Sequence, residues 1–186
     1  MNLAQQPTRI PVQFLDQDSE EAALCAQAMA RARCAHERWA ALPVPKRLKP
    51  LRQLRALIAR NCGALAEASA GGRSRPTFEA ITAEVLPLAE ACRFLEREAE
   101  TILAPVPFGA GSRPLWLWSV RSEVRREPYG VVLIIGPGNY PLLLPGVQVI
   151  QALIAGNAVL LKPGVGGTPA AALFCELIAE AGFPSG

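Results

Sequence analysis

The chain has 186 residues, 51% of them hydrophobic and 19% charged, which is enough for one domain with an ordinary core and too apolar for a disordered chain. Its formal net charge of +3 is too small, and its basic residues too dispersed, to imply nucleic acid. Five cysteines, odd in number and without a Cys-x-x-Cys pair, indicate neither a disulfide framework nor a metal site and suit a reducing cytosol.

Residues 1–17 read as an extended lead-in with Pro7 and Pro11, and Asp16, Asp18 and Glu20 interrupt any apolar core that a signal peptide would need. Asp18 followed by Glu21 forms a capping box for a helix reaching Trp39, with Leu24, Ala28, Ala32, Ala35 and Trp39 on its buried side. His36, the one histidine, has no ligand-spaced partner and reads as a surface residue. Pro43 and Pro45 end this helix, and a second runs from about Lys46 to Ala70, stopped by Gly71 and Gly72. Leu51, Leu54, Ile58 and Leu65 form its apolar stripe. Lys46, Arg47, Lys49, Arg52, Arg55 and Arg60 read as its solvated face.

A third helix spans Thr77 to Leu103, where Phe78, Ile81, Val85, Leu88, Cys92, Leu95, Ala99 and Ile102 recur at steps of three and four. Pro87 lies within it and would kink a straight supercoil, so the stripe marks a long core helix with Cys92 as a small core residue. A Pro- and Gly-rich linker (105–114) leads to a half-exposed strand over 115–127. There Val120, Ser122 and Val124 alternate with charged residues, and Trp116 and Trp118 suggest packing against something large, such as another subunit.

From Glu127 to Lys162 no intervening residue is charged. Gly136, Pro137, Gly138, Asn139 and Pro141, then Gly156 and Asn157, cut this run into pieces too short for the ~20 unbroken apolar residues of a membrane span. What remains is a strand (Val131 to Ile135), a helix and a second strand (Ala158 to Leu161), a parallel unit expected to be buried on both faces. Thr168–Pro169 starts another helix, which a parallel sheet would follow with a third strand. Read alone, Asn139 is a turn residue tolerating positive φ and Lys162 caps the exposed end of a strand. Cys175, inside a helix without a cationic neighbour, reads as a core residue, and Glu176 as a helix-surface one.

Several motifs in order resemble the aldehyde dehydrogenase superfamily: Glu127-Pro128-Tyr129-Gly130-Val131-Val132, Gly136-Pro137-Gly138-Asn139-Tyr140-Pro141, Ala155-Gly156-Asn157-Ala158-Val159 and Leu161-Lys162-Pro163. The ending Glu180-Ala181-Gly182-Phe183-Pro184-Ser185-Gly186 and the Trp39-Ala40-Ala41-Leu42-Pro43 run are similar too. The resemblance implies an α/β fold: an N-terminal helical region with its linker (1–114), a strand of the oligomerisation sheet (115–127), and the first βαβα unit of a Rossmann-like NAD(P)-binding domain (128–186), incomplete. It implies NAD- or NADP-dependent oxidation of an aldehyde to an acid, in a cytoplasmic homo-oligomer without membrane or nucleic-acid partners.

Within that scheme Asn139 donates to the oxyanion formed when a cysteine thiolate attacks the carbonyl. Ile135, Gly136, Pro137, Gly138 and Gly164 lie along the cofactor, and Lys162 contacts its adenine-side ribose. The family commonly has a tryptophan at Gly138 and often a ribose-binding glutamate where Val165 stands, so both cofactors remain open. Its nucleophilic cysteine, its catalytic glutamate and its glycine-rich pyrophosphate loop correspond to positions beyond Gly186, so this chain alone is expected to be inactive. Two alternatives accompany this reading: a non-catalytic module pairing with a full-length subunit, and part of an acyl-phosphate or acyl-CoA reductase of the same fold.

Overall fold

The computed structural model describes residues 20–70, 75–109 and 114–184. Helices α1 (Glu20–Ala40), α2 (Val44–Arg60) and α3 (Cys62–Ala70) come first. A longer helical stretch follows, made of α4 (Thr77–Ala80), a π turn (Ile81–Val85) and α5 (Leu86–Leu103). Strand β1 (Val106–Phe108) pairs antiparallel with β2 (Ser122–Val124), and a 3₁₀ turn (Leu115–Leu117) lies between them. The chain then forms β3 (Val131–Ile135), α6 (Leu143–Ile154), β4 (Ala158–Lys162) and α7 (Thr168–Glu180). Strands β3 and β4 are parallel, with Val131 opposite Ala158 and Ile135 opposite Lys162.

One continuous core joins the helices to this unit. Trp39, Leu51, Leu54, Ile58, Leu65, Val85, Leu88 and Cys92 meet Ile134, Ile150, Ile154 and Phe174. The stripes on α2 and α5 are therefore the inner face of a helical layer rather than a supercoil seam. Trp39 ties three parts together: its indole N–H donates to the Leu153 carbonyl at 2.6 Å, and its ring packs 5.3 Å from Phe183, just past α7.

Several expectations need correction. The second helix breaks at Asn61, whose backbone N–H and side-chain amide both donate to the Leu57 carbonyl at 2.9 Å and cap α2. Gly71, Gly72 and Asp18 lie outside the described residues. Pro87 is accommodated without breaking the third helix: Leu86 N–H reaches back to Ile81 O, one residue further than an α bond, and Pro87 then occupies the first turn of α5. Both ends of the predicted stripe are exposed, Phe78 at 76% and Ile102 at 44%. Leu24 on α1 is exposed too. The segment 115–127 holds a 3₁₀ turn and, as its strand, only the short β2, paired to a strand within the stretch read as a linker.

The sheet is covered on one face only. Ile134 is buried, with Val132, Val159 and Leu161 against the core, whereas Leu133 and Ile135 on the opposite face are 61% and 65% exposed. A groove of about 370 Å³ runs beside β4, between α1 (Ala32, Trp39) and α7 (Cys175, Ile178). Consecutive residues Ala158 to Leu161 line it, so it follows the edge of β4 rather than one of its faces. Cys175 is therefore exposed on this groove, not part of the core, while the surrounding walls still desolvate its thiol and, with the Glu176 charge, raise its pKa. No helix among the described residues is long and apolar enough to cross a membrane.

Two side chains assigned to the surface are anchors. His36 is half-buried, its Nδ1 3.1 Å from the Gly156 carbonyl. Arg47 is buried against the same turn, and desolvation lowers its pKa. A Cβ on Gly156 would collide with the Arg47 guanidinium, and its φ of +99° is already glycine territory.

Candidate functional site

Parallel strands deliver their following loops to the same end of a sheet, which is where α/β folds take ligands. Here β3 ends at Ile135 beside Lys162, the last residue of β4, and Gly136 N–H donates to the Lys162 carbonyl at 2.8 Å. The loops 136–142 and 163–167 thus begin in register. Gly164 locks them together: a Cβ there would stand 2.6 Å from Gly136 O and from Gly138 N and would strike the Pro137 carbonyl carbon. Any larger residue would push the two loops apart.

All seven sequence-predicted positions fall in this one locus. Ile135 and Lys162 are exposed side by side at the strand ends, while Pro137, Gly138 and Gly164 are half-buried and Gly136 is buried. Among the described residues Lys162 makes no ion pair, leaving its ammonium available at the rim. Val165, at the position where the family often has a ribose-binding glutamate, is 92% exposed on the second loop. It presents neither an acceptor nor a negative charge.

Asn139 is exposed on the first loop, and its Oδ1 accepts from Tyr140 N–H at 3.0 Å. The oxygen is thereby turned back on its own chain, which leaves the Nδ2 amide as the outward group. Its φ is not positive, since every positive φ among the described residues belongs to a glycine. The residue is consequently not there for its tolerance of a left-handed turn.

The residue that sequence reasoning missed is Glu84. It lies in the π turn, its carboxylate is fully buried, and Oε2 accepts from Leu142 N–H at 2.8 Å and Leu143 N–H at 3.2 Å. These are the first free amides of α6, which has no side-chain cap of its own. A carboxylate there is favoured by the helix dipole. The other oxygen accepts from Arg75 Nη1 at 2.5 Å, and the Arg75 guanidinium also lies 5.0 Å over the Tyr140 ring. Burial acts to lower the Arg75 pKa, but Glu79 and Glu84 more than offset it and hold it above its ordinary value. Because Glu84 fills the N-terminus of α6, that helix end is closed to a ligand phosphate.

Asn157 is a second missed anchor. Buried at the start of β4, it accepts from Gly130 N–H at 3.1 Å and donates to Ala152 O at 3.1 Å, fixing the start of β3 against the end of α6.

Comparison with known proteins bears on this arrangement. The model of the aldehyde dehydrogenase family matches residues 13–186. A 4,4'-diapolycopene aldehyde oxidase of a Methylomonas species is 32% identical over 164 residues, covering 88% of this chain and 31% of that protein. An NADP-dependent glyceraldehyde-3-phosphate dehydrogenase of Streptococcus equinus is 33% identical over 161 residues, covering 84% and 33% respectively. The crystal structure of an aldehyde dehydrogenase from Brucella melitensis biovar abortus superposes with a TM-score of 0.79 at 26% identity, over 88% of this chain and 32% of that one. The chain thus spans about a third of the length of the relatives it matches. With the family model matched from residue 13 to the last residue and this fold shared, the chain belongs to the aldehyde dehydrogenase family.

Proposed function

We propose that this chain forms the cofactor-side wall of an NAD(P)-dependent aldehyde dehydrogenase site, in a protein that oxidises an aldehyde to a carboxylic acid. The observation that carries the reading is the convergence of the two strand-end loops, with Gly164 seated on the Gly136–Gly138 backbone and Lys162 and Asn139 exposed around it. The residues fit a dinucleotide. Lys162 and the glycine backbone would hold it, and Gly164, by letting the two loops close on each other, keeps that backbone in place. The cofactor, when bound, supplies the hydride acceptor. Val165 neither binds a ribose hydroxyl as a carboxylate would nor repels a 2′-phosphate, so the site admits NAD and NADP.

Asn139 is assigned the electrophilic role. When a thiolate adds to an aldehyde, charge moves from sulfur to the carbonyl oxygen, and a fixed amide donor stabilises that developing oxyanion. Such a preorganised donor is worth about 3 kcal/mol of barrier. The nucleophile and base are assigned to the part of the family fold that this chain does not cover. Incubated with NAD or NADP and short or aromatic aldehydes, the chain alone should form no reduced cofactor. Mixed with a polypeptide supplying the other two thirds of a family member, it should restore aldehyde-dependent reduction, and Asn139→Ala should lower kcat about 10²-fold. Turnover by the chain alone, or full activity of the Asn139→Ala mixture, would overturn the assignment.

A non-catalytic reading is favoured by a separate observation. The β1–β2 hairpin and its 3₁₀ turn expose Phe108, Leu115, Trp116 and Trp118 at 65%, 74%, 79% and 65%. A module pairing through Trp116 to Arg126 with a full-length subunit would cover them, and co-purification with such a subunit would distinguish this role.

A further inference from the structure

We propose that Glu84, acting with Arg75, is a positioning residue for the Asn139 turn: it sets where the turn's amide stands relative to the cofactor wall. This rests on the oxyanion role given to Asn139 above. The turn between Ile135 and Leu143 is exposed at its tip and carries a glycine at 138 where bulk could have braced it. Among the described residues, the side-chain hydrogen bond of Asn139 is the one it accepts from the next residue's N–H. The turn is held at its two ends. At the near end Gly136 N–H is tied to Lys162 O. At the far end Leu142 and Leu143 N–H converge on one oxygen of Glu84. Between them the Arg75 guanidinium lies over the Tyr140 ring, next to Asn139.

The same job of capping α6 could be done by a serine or aspartate at residue 142, where Leu142 stands instead. A buried ion pair is also a poor source of stability, because desolvation cancels most of the attraction. What a carboxylate from another helix supplies, and a local cap does not, is a fixed position. It ties the active turn to the π turn and through it to the helical layer. Since a displacement of ~1 Å at a reacting centre costs ~10²-fold in rate, such a tie has functional weight.

Hydrogen exchange of the full chain, read by mass spectrometry at low concentration, tests the proposal without cofactor or aldehyde. Its failure therefore leaves the aldehyde reading standing, and the failure of that reading leaves this measurement intact. Glu84→Gln keeps the size, halves the acceptors and sets an amide N–H₂ against Arg75. Exchange in the segment 139–146 should rise on the order of tenfold, as expected for losing charge-assisted bonds to two amides. Segment 44–60 of α2 should stay within about twofold. Leu54→Ala, which weakens the core generally, provides the pattern of a merely structural role, with exchange rising in both segments. Glu84→Gln behaving like the parent in 139–146, or like Leu54→Ala throughout, overturns the proposal. Should Glu84→Gln not fold, Tyr140→Leu decides. A rise of about two- to threefold confined to 139–146 supports the tie through Arg75, and no rise overturns it.

Discussion

Cys92 shows how far burial alone can move a functional group. It has no exposed surface and lies on the inner face of α5, and its thiol is pushed up to about 12 from an ordinary 9.0. Burial is the main cause and the Glu96 charge adds to it, while Arg55, paired with Glu96 at 2.6 Å, opposes. The sign follows from linkage. Above pH 9.0 the unfolded chain releases this proton while the folded chain keeps it, so the unfolded state binds fewer protons and folding stability falls with pH. The stabilising share is complete below pH 9.0 and is lost progressively up to about 12. Thermal melts taken from roughly pH 8 to 10.5 should therefore drop, and Cys92→Ala, though less stable at neutral pH, should drop less steeply. Equal slopes in the two proteins would mean that the thiol ionises freely in the fold. The same residue marks what was legible, since its place in a step of threes and fours identified it as core. Glu84, eight positions earlier on the same helical stretch, was not legible. A glutamate beside an apolar stripe looks solvated until a π turn widens the helix there and brings Glu84 and Val85 inward together.

At the level of elements, periodicity carried the strands, the helices and the loops at the strand ends, because each of those depends on local spacing and on glycine or proline punctuation. It failed where a tertiary partner decides the outcome. His36 and Arg47 look solvated on their own helices, yet His36 is half-buried and Arg47 buried where the Gly156 turn lies against them. Of the β1–β2 pair, β2 lies within the strand that the alternation of Val120, Ser122 and Val124 predicts, whereas β1, three exposed residues in a Pro- and Gly-rich stretch, leaves no alternation to read. Trp39 was readable as buried, yet not as a hub. It links α1 to the end of α6 through the Leu153 carbonyl and to the segment after α7 through Phe183. Trp39→Ala should consequently lower unfolding free energy by about 3–5 kcal/mol. Trp39→Phe should recover most of the packing while leaving Leu153 O unpaired, a residual cost of ~1–3 kcal/mol. Denaturant titration of the three proteins checks both. A Phe variant as unstable as the Ala one would show that the hydrogen bond, not the ring, fixes α1 to α6.

At the level of the whole molecule, apolar surface remains exposed in several places, three of them on strands: the open face of β3, the edge groove of β4, and the β1–β2 hairpin. Leu133 and Ile135 are exposed on the first, and Trp116 is the most exposed apolar side chain of the last. Contiguous exposed apolar surface and an unpaired strand edge both favour association. The net charge of +3 offers little repulsion against it. Sedimentation velocity of the isolated chain should therefore show mass rising with concentration. The two kinds of surface can be told apart by variants that leave the core untouched. Trp116→Ser with Trp118→Ser should remove association if the hairpin is the contact, and Leu133→Thr should do so if the sheet face is. If both behave as the parent while the chain still associates, the contact lies at the edge of β4 or at other exposed apolar residues such as Phe78 and Val165. A chain that stays monomeric over the whole range would mean that none of the three surfaces is adhesive, and the exposed tryptophans would need another explanation.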